Sequence, residues 1–179
     1  ALSTVDMRAW PTSRIKNLSS GILAYLQKAE PLKRDQPAFR NGVALLTKVS
    51  SRLSSGEKMQ NIRALENLRM TEVSIRSIPE KMLFDVKEFR AVAGQPVKIA
   101  FTNPDAMPHN VLVVNPGKAD EVGGMAEAMT DGFAKDYIPQ SKEIIAHTKL
   151  IKEKESVEIK FIAPDRPGDY PFICSFPGH

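Results

Sequence analysis

The sequence predicts a mainly β protein, a β-sandwich with a helical insertion, preceded by a small α-helical domain. Apolar residues recur every three or four positions up to about residue 70, and from Thr71 onward they alternate with polar residues. These are the periods of a helix and of a strand. The charge changes as well, since residues 1–75 hold 12 Lys and Arg against 6 Asp and Glu, whereas residues 76–179 hold 13 against 15. We therefore expect two domains, 1–70 and 71–179.

Three helices are predicted in the first domain. Thr12 or Ser13 is the expected N-cap of the first, and Pro37 opens the second. Ser54 and Glu57 have the spacing of a capping box before the third. The apolar stripes expected to form the core are Ile15, Leu18, Ile22 and Leu26, then Phe39, Val43, Leu46, Val49 and Leu53, and finally Ile62, Leu65 and Leu68.

About seven strands are predicted after Thr71. Alternation is clearest at 73–75, 97–101 and 157–161, and the turn segments "AGQP", "TNPD", "NPGK" and "DRPGD" separate the strands. Further strands are expected near 82–86, 109–114, 144–151 and 170–176. Between 118 and 137 the alternation stops, which predicts a helical insertion. Short strands punctuated in this way indicate a sandwich.

The composition excludes several classes of protein. No run of about 18 apolar residues occurs, so no transmembrane segment is predicted. The basic residues of the first domain are scattered without interleaved aromatic residues, which favours a solvated helix surface over a nucleic-acid face. A single cysteine excludes an internal disulfide. The start lacks Met and a signal pattern, so we expect a trimmed part of a longer protein.

The last nine residues, "PFICSFPGH", carry the most specific chemical signal. Cys174, the only cysteine, lies in a predicted strand, and His179 follows a Pro-Gly turn. His109 stands where a turn passes into another strand, a position that holds a side chain at the end of a sandwich. One thiolate and two imidazoles form a trigonal His2Cys set, which with a weak axial ligand is the blue-copper arrangement.

Spacing alone leaves other interpretations open. A single cysteine near the end of a strand is more often a small buried apolar residue, and a histidine at the start of a strand usually has a structural role. An enzyme with His109 as base and Cys174 as nucleophile is disfavoured, because nothing in the sequence supplies a third orienting group or an oxyanion loop.

Three motifs in order, "MPHNVLVV", "KDYIPQSKEIIAHTKLI" and "GDYPFICSFPGH", resemble the cupredoxins, and most of all the azurin and auracyanin branch. The Pro-His-Asn form also resembles plastocyanin. The resemblance covers about residues 82–179. It implies a Greek-key β-sandwich that binds type 1 copper and transfers single electrons, and it implies that the protein is not an enzyme.

The resemblance also implies the residues of the site. Asn110 would tie the His109 loop to Ser175, and the amides of Asn110 and Phe176 would donate to the thiolate. His147 matches a family histidine that does not bind copper. The implied equatorial ligands are His109, Cys174 and His179, the implied weak axial group is the Pro108 carbonyl, and the implied supporting residues are Asn110, Ser175 and Phe176.

The sequence departs from the family pattern at His179, where an axial methionine and a last strand would follow. Neither is present in these 179 residues. Met107, Met125 and Met129 lie outside the family position, and we interpret them as packing residues. We therefore expect a sandwich without its last strand and an incomplete copper site. The alternative is a non-redox binding or assembly module whose metal site is vestigial or holds zinc.

Partners and location follow from the resemblance only. Helices before a cupredoxin resemble the C-terminal part of large bacterial haem-binding or dehydrogenase-like proteins. This implies electron relay between a dehydrogenase or cytochrome partner and an acceptor, in the periplasm or outside the cell. The exposed edge of His179, framed by Phe176 and Pro177, is the expected electron port, and docking interfaces of this kind are small.

Overall fold

The structure, a computed structural model, describes residues 9–179. The chain divides into two compact units between Met70 and Thr71. The first unit is helical, and the second consists mainly of strands. Among the described residues, no helix combines the length and the apolar character needed to cross a membrane.

The first unit consists of three helices, α1 (Thr12–Gln27), α2 (Pro37–Ser50) and α3 (Ser55–Glu66), with a short 3-10 helix at Pro31–Lys33. The stripes predicted for α1 and α2 are confirmed by the burial of Ile15, Leu26, Phe39, Leu46 and Val49. The predicted cap of α1 is wrong. The helix begins at Thr12, and its N-cap residue is Pro11, which has no side-chain oxygen that could accept a hydrogen bond from the first turn.

The predicted stripe of the third helix is confirmed at Leu65 and Leu68, which pack in the core, but the helix also packs through a polar side chain. Ile62, part of the predicted stripe, is 38% exposed, whereas Asn61 is buried. The Nδ2 of Asn61 donates to the hydroxyls of Ser19 and Ser50, each at 2.8 Å. A single buried amide therefore links all three helices. A satisfied network of this kind helps to specify one packing arrangement.

The predicted capping box at the start of α3 is confirmed. The Ser54 hydroxyl accepts from the Glu57 amide, and the Glu57 carboxylate accepts from the Ser54 amide. Lys16 of α1 lies 2.7 Å from the same carboxylate. Hydrogen bonds from the side chains of Lys16 and Ser54 lower the pKa of Glu57 to about 2.

We expect Glu57→Gln to destabilise the protein at pH 7 and to have a much smaller effect near pH 2. The pKa of Glu57 is lower in the folded state, so its contribution is present above the ordinary glutamate pKa of 4.5 and is lost as the pH falls toward 2. Urea unfolding followed by far-UV circular dichroism measures the effect. An effect of Glu57→Gln that is equal at both pH values would contradict the assignment of the low pKa to Glu57.

Ser54→Ala removes the other side chain of the capping box. We expect it to lower the free energy of unfolding by about 1 kcal/mol in the same urea experiment.

The second unit is a sandwich of two sheets. The strands are β1 (Thr71–Ile78), β2 (Leu83–Phe84), β3 (Pro96–Thr102), β4 (Leu112–Val114), β5 (Ile144–His147), β6 (Ser156–Ile162) and β7 (Phe172–Ile173). One sheet has the order β2-β1-β3-β6 and the other the order β5-β4-β7. The pair β1 and β3 is parallel, and the other pairs are antiparallel.

Apolar side chains fill the space between the sheets. Phe101 is fully buried, and its ring meets the ring of Phe84 edge-on with centroids 5.7 Å apart. The alternation seen in the sequence therefore marks the inward faces of the strands. The buried residues of this core are Ile75, Val97, Ile99, Phe101, Val111, Val113, Ile151 and Ala163.

The predicted strand at 144–151 is shorter in the structure, where β5 ends at His147. Beyond this point the chain still bonds to its neighbour, but irregularly. Thr148 donates its amide to the Val111 carbonyl, and its hydroxyl accepts from the Val111 amide. Ile151 then forms an isolated bridge with His109. This irregular stretch holds the backbone of His109 at the end of the sandwich core.

The predicted helical insertion at 118–137 is confirmed. It contains α4 (Ala119–Glu127), which follows β4, and a 3-10 helix at Gly132–Lys135. The insertion ends with Asp136 and Tyr137, two consecutive non-glycine residues with φ values of 54°. This left-handed conformation is costly for such residues and persists only where surrounding contacts enforce it.

Candidate metal centre

The structure brings His109, Cys174 and His179 together, although 65 residues separate the first two along the chain. One ligand atom from each side chain lies within 4.8 Å of the others. The Cys174 sulfur is 3.7 Å from His109 Nδ1 and 3.1 Å from His179 Nδ1. The two imidazole centroids are 4.3 Å apart. Each imidazole therefore turns the same ring nitrogen toward one sulfur.

The backbone positions all three residues. His109 exchanges two backbone hydrogen bonds with Ile151, at 3.1 and 2.9 Å. Cys174 directly follows β7, whose pairing with β4 sets it near the start of β4. The amide of His179 donates to the Phe176 carbonyl, and the turn between them uses Gly178 at a φ of 89°, a value that favours glycine.

A buried hydrogen-bond network joins the segment of His109 to that of Cys174. Asn110, which is fully buried, donates from Nδ2 to the Ser175 hydroxyl at 2.8 Å and accepts the Ser175 amide at Oδ1, also at 2.8 Å. The same Nδ2 donates to the carbonyl of Asp136 at 2.7 Å. The hydrogen bonds between Asn110 and Ser175 thus fix the relative position of the residues that precede them, the candidate ligands His109 and Cys174.

The end of the helical insertion completes this network. The link between Asn110 and Ser175 was predicted, but the contribution of the insertion was not. The carbonyl of Tyr137 accepts from the Ser175 hydroxyl at 2.7 Å. Because Asp136 and Tyr137 are both left-handed, their consecutive carbonyls reach Asn110 and Ser175. A side chain at Gly132 would collide with the Tyr137 ring, so this turn requires glycine. No local sequence signal marks two such residues in a row.

Burial disfavours charge at the cysteine and at the last histidine. Burial raises the pKa of the Cys174 thiol, and backbone hydrogen bonds from Asn110 and Phe176 act in the opposite direction. Burial and the neighbouring His109 lower the pKa of His179, against an opposing effect of Asp105. A metal ion that binds the thiolate must therefore displace a proton from Cys174.

The expected exposed edge of His179 is only partly present. The residue is half-buried, but its Nε2 is buried and has no hydrogen-bond partner in the described part of the chain. Its ring lies beside Phe176, with centroids 5.3 Å apart, and Phe176 in turn meets Tyr137 edge-on at 5.3 Å. The imidazole therefore sits against an aromatic side chain rather than in open solvent.

The other histidine lies outside the cluster, and the methionines are partly exposed. His147 is exposed at the end of β5 and is not in the three-residue group. Met107 and Met125 are 37% and 39% exposed, and Met129 is half-buried, so the interpretation of all three as packing residues stays a prediction. Pro108, beside His109, is half-buried.

One further side chain faces the cluster without having been singled out in the sequence. The Oδ2 of Asp105 lies 3.1 Å from His109 Nε2. Burial acts to raise the pKa of Asp105, but hydrogen bonds from His109 and from the amides of Met107 and Glu80 outweigh it, so the pKa lies below its usual value. An aspartate in a turn is ordinarily solvated, which is why the sequence alone carries no signal for it.

The donor set fits copper. A thiol sulfur and two imidazole nitrogens at these separations suit one ion of soft or borderline character, a class that includes copper and zinc. The fold and the site together define a small β-sandwich protein that holds a single metal ion. Residues 71–179 match the model of the copper binding proteins, plastocyanin/azurin family, and the chain belongs to this family. Its members are copper electron-transfer proteins and not enzymes.

Individual relatives agree with this assignment. Auracyanin-A of Chloroflexus aurantiacus is 38% identical over 109 residues, which cover 60% of this chain and 67% of that protein. Azurin of Pseudomonas aeruginosa is 37% identical over 87 residues, which cover 45% of this chain and 59% of the azurin. The predicted resemblance to azurin and auracyanin is confirmed.

Solved structures confirm the cupredoxin-like fold. The "blue" copper protein auracyanin A of Chloroflexus aurantiacus matches with a TM-score of 0.56 and 37% identity, over 62% of this chain and 90% of the other. The dithionite-reduced auracyanin of Roseiflexus castenholzii matches with a TM-score of 0.54 and 34% identity, over 60% of this chain and 86% of the other.

Proposed function

We propose that this protein carries single electrons on one copper ion held by His109, Cys174 and His179. The convergence of the three ligand atoms within 4.8 Å, in a chain of the plastocyanin/azurin family, is the observation that supports the proposal. A soft thiolate with two imidazoles accommodates both oxidation states of copper. Copper, when bound, would supply a one-electron redox couple.

The protein's own contribution is to keep the ligands still. The bridge between His109 and Ile151 and the link between Asn110 and Ser175 hold the ligand backbones through hydrogen bonds of 2.8–3.1 Å. Side chains that are already in place need little rearrangement when the charge of the site changes. We assign to the amides of Asn110 and Phe176 the role of withdrawing charge from the sulfur, and to the Pro108 carbonyl that of a weak axial group.

We place the electron port at the surface formed by residues 174–179. A shallow cavity of about 80 Å³ lies there, lined by Gly123 and Glu127 and by the segment from Cys174 to His179. Phe176 is half-buried and its ring lies 5.3 Å from that of His179, so we assign to it the contact with the redox partner. A redox protein, such as a cytochrome or a dehydrogenase domain, is the proposed partner, and the interface would be small.

The arrangement of the whole protein belongs to the same proposal. We infer that residues 1–70 and 71–179 are separate domains and that the helical one connects the copper domain to a larger haem-binding or dehydrogenase-like protein. The two compact units of the structure support the boundary. We place the protein in the periplasm or outside the cell, where the thiolate site would meet its redox partners.

Copper loading tests the proposal. We expect the full chain to bind one Cu(II) with intense visible absorption, which one equivalent of a one-electron reductant abolishes and reoxidation restores. The reason is that such absorption arises from a bond between Cu(II) and a thiolate, which Cys174 would supply. Absorption spectra recorded during a redox titration, with metal analysis, provide the measurement. Bound Cu(II) without the band, or zinc that excess copper does not displace, would favour the non-redox alternative.

A further inference from the structure

A buried carboxylate lies behind the first candidate ligand. Asp105 and His109 are 5% and 1% exposed, and their facing atoms, Oδ2 and Nε2, are 3.1 Å apart. The opposite nitrogen of the same imidazole, Nδ1, faces the Cys174 sulfur at 3.7 Å. The ring of His109 is thus held between a carboxylate on one side and the candidate metal position on the other.

The turn that carries Asp105 is built to hold the carboxylate in place. The Oδ1 of Asn103 accepts the Asp105 amide at 3.0 Å and the Ser77 hydroxyl at 2.6 Å. The amides of Glu80 and Met107 donate to the two carboxylate oxygens at 3.3 and 3.4 Å. Asp105 is therefore fixed from β3 and from the end of β1, and it is not a freely rotating surface residue.

Asn103 also couples this turn to the backbone of His109. Its Nδ2 donates to the Met107 carbonyl at 2.8 Å and to the Ile151 carbonyl at 3.1 Å. Ile151 is the residue that bridges His109. The same side chain therefore orients both the carboxylate and the irregular segment that bridges His109, so the distance between Asp105 and His109 is set on both sides.

We propose that Asp105 is a positioning residue of the metal centre, which keeps His109 in the tautomer with the proton on Nε2 and strengthens its Nδ1 as a donor. This inference rests on the proposed role of His109 as a copper ligand. An ionised carboxylate only accepts hydrogen bonds, so the imidazole must supply the proton on the facing nitrogen. Its Nδ1 then offers a lone pair toward Cys174.

The negative charge of Asp105 has a further consequence for the metal. Carboxylates behind metal-binding histidines increase the basicity of the imidazole, and their loss typically lowers metal affinity by about 10- to 100-fold. A more basic imidazole stabilises the more highly charged ion, so Asp105 favours Cu(II) over Cu(I). The carboxylate therefore holds the reduction potential below the value that the site would have without it.

Asp105→Asn in the full chain tests the inference, with Asp169→Asn, an exposed carboxylate in the same unit, as the control for net charge. We expect Asp105→Asn to bind Cu(II) and Zn(II) about 10- to 100-fold more weakly in chelator competition. We also expect its reduction potential to rise, and we expect Asp169→Asn to change neither property. The inference would be overturned if Asp105→Asn had the same metal affinity and reduction potential as the control. It would also be overturned if the reduction potential of Asp105→Asn were lower.

A second measurement needs neither the variant nor the metal. Nitrogen-15 spectra of the histidine rings in the metal-free protein, about two pH units above the usual histidine pKa, report which ring nitrogen carries the proton. We expect the proton of His109 on Nε2. A proton on Nδ1 would contradict the role of Asp105 even if copper binding were normal. A proton on Nε2 in a protein that does not bind copper would support Asp105 while the proposed electron carrier fails.

Discussion

Cys174→Ser should abolish the visible absorption of the copper-loaded protein. Serine keeps the size of the side chain, but its hydroxyl is a hard donor that stays protonated at neutral pH, so it cannot replace the thiolate. We expect the copper affinity to fall by more than the factor of about 10 to 100 that typically follows the substitution of a residue hydrogen-bonded to a metal ligand. Absorption spectra and competition with a chelator measure both effects.

The matched control for this variant is His147→Gln. His147 is a histidine of the same sandwich, but it is exposed and lies outside the cluster of His109, Cys174 and His179. We expect His147→Gln to leave the absorption and the affinity unchanged. Because Cys174 is the only cysteine in the sequence, absorption that survives in Cys174→Ser would show that the band does not arise from a thiolate. In that event, the proposed ligand set would be wrong.

Asn110→Ala should lower the free energy of unfolding of the second unit by about 2–5 kcal/mol. The change leaves the Asp136 carbonyl, the Ser175 amide and one bond of the Ser175 hydroxyl without their partner. Each buried polar group that loses its hydrogen bond costs about 1–3 kcal/mol. The two left-handed residues of the insertion would also lose a contact that enforces their conformation.

Trp10, the only tryptophan, lies in the first unit, so its fluorescence does not report on this change. Amide hydrogen exchange of β4 and β7 in increasing urea is the suitable measurement. The control is Asn115→Ala, since Asn115 is half-buried and its side chain bonds to Glu143 at 2.9 Å. We expect a cost of less than about 1 kcal/mol there. Equal costs for both variants would show that Asn110 does not hold the site together.

Several features of the protein could be predicted because they depend on neighbouring residues in the sequence. The stripes of α1 and α2 follow from apolar residues spaced at three and four positions, and the capping box of Ser54 and Glu57 closes within one helical turn. Alternation likewise located the core strands. The candidate ligands were recognisable because the motifs around His109, Cys174 and His179 resemble those of the cupredoxins.

Other features could not be predicted, because apolar periodicity reports only which apolar side chains are buried. Asn61 is buried among three helices, where its partners Ser19 and Ser50 are 42 and 11 positions away. Asp105 is near His109 in sequence, but an aspartate in a turn carries no sign of its burial. The left-handed pair at Asp136 and Tyr137 bonds to residues 26 and 38 positions away.

The sequence by itself determined which side chains are candidates to bind a metal, since the motifs around one thiol and two imidazoles resemble the cupredoxins. Only the tertiary structure decided how those groups are held. The tertiary structure sets the distances between the sulfur and the two Nδ1 atoms. It also places the carboxylate behind His109 and forms the network through Asn110. All three features depend on contacts between segments that are distant along the chain. Local spacing cannot specify these contacts, because they form only when the two sheets and the helical insertion pack together.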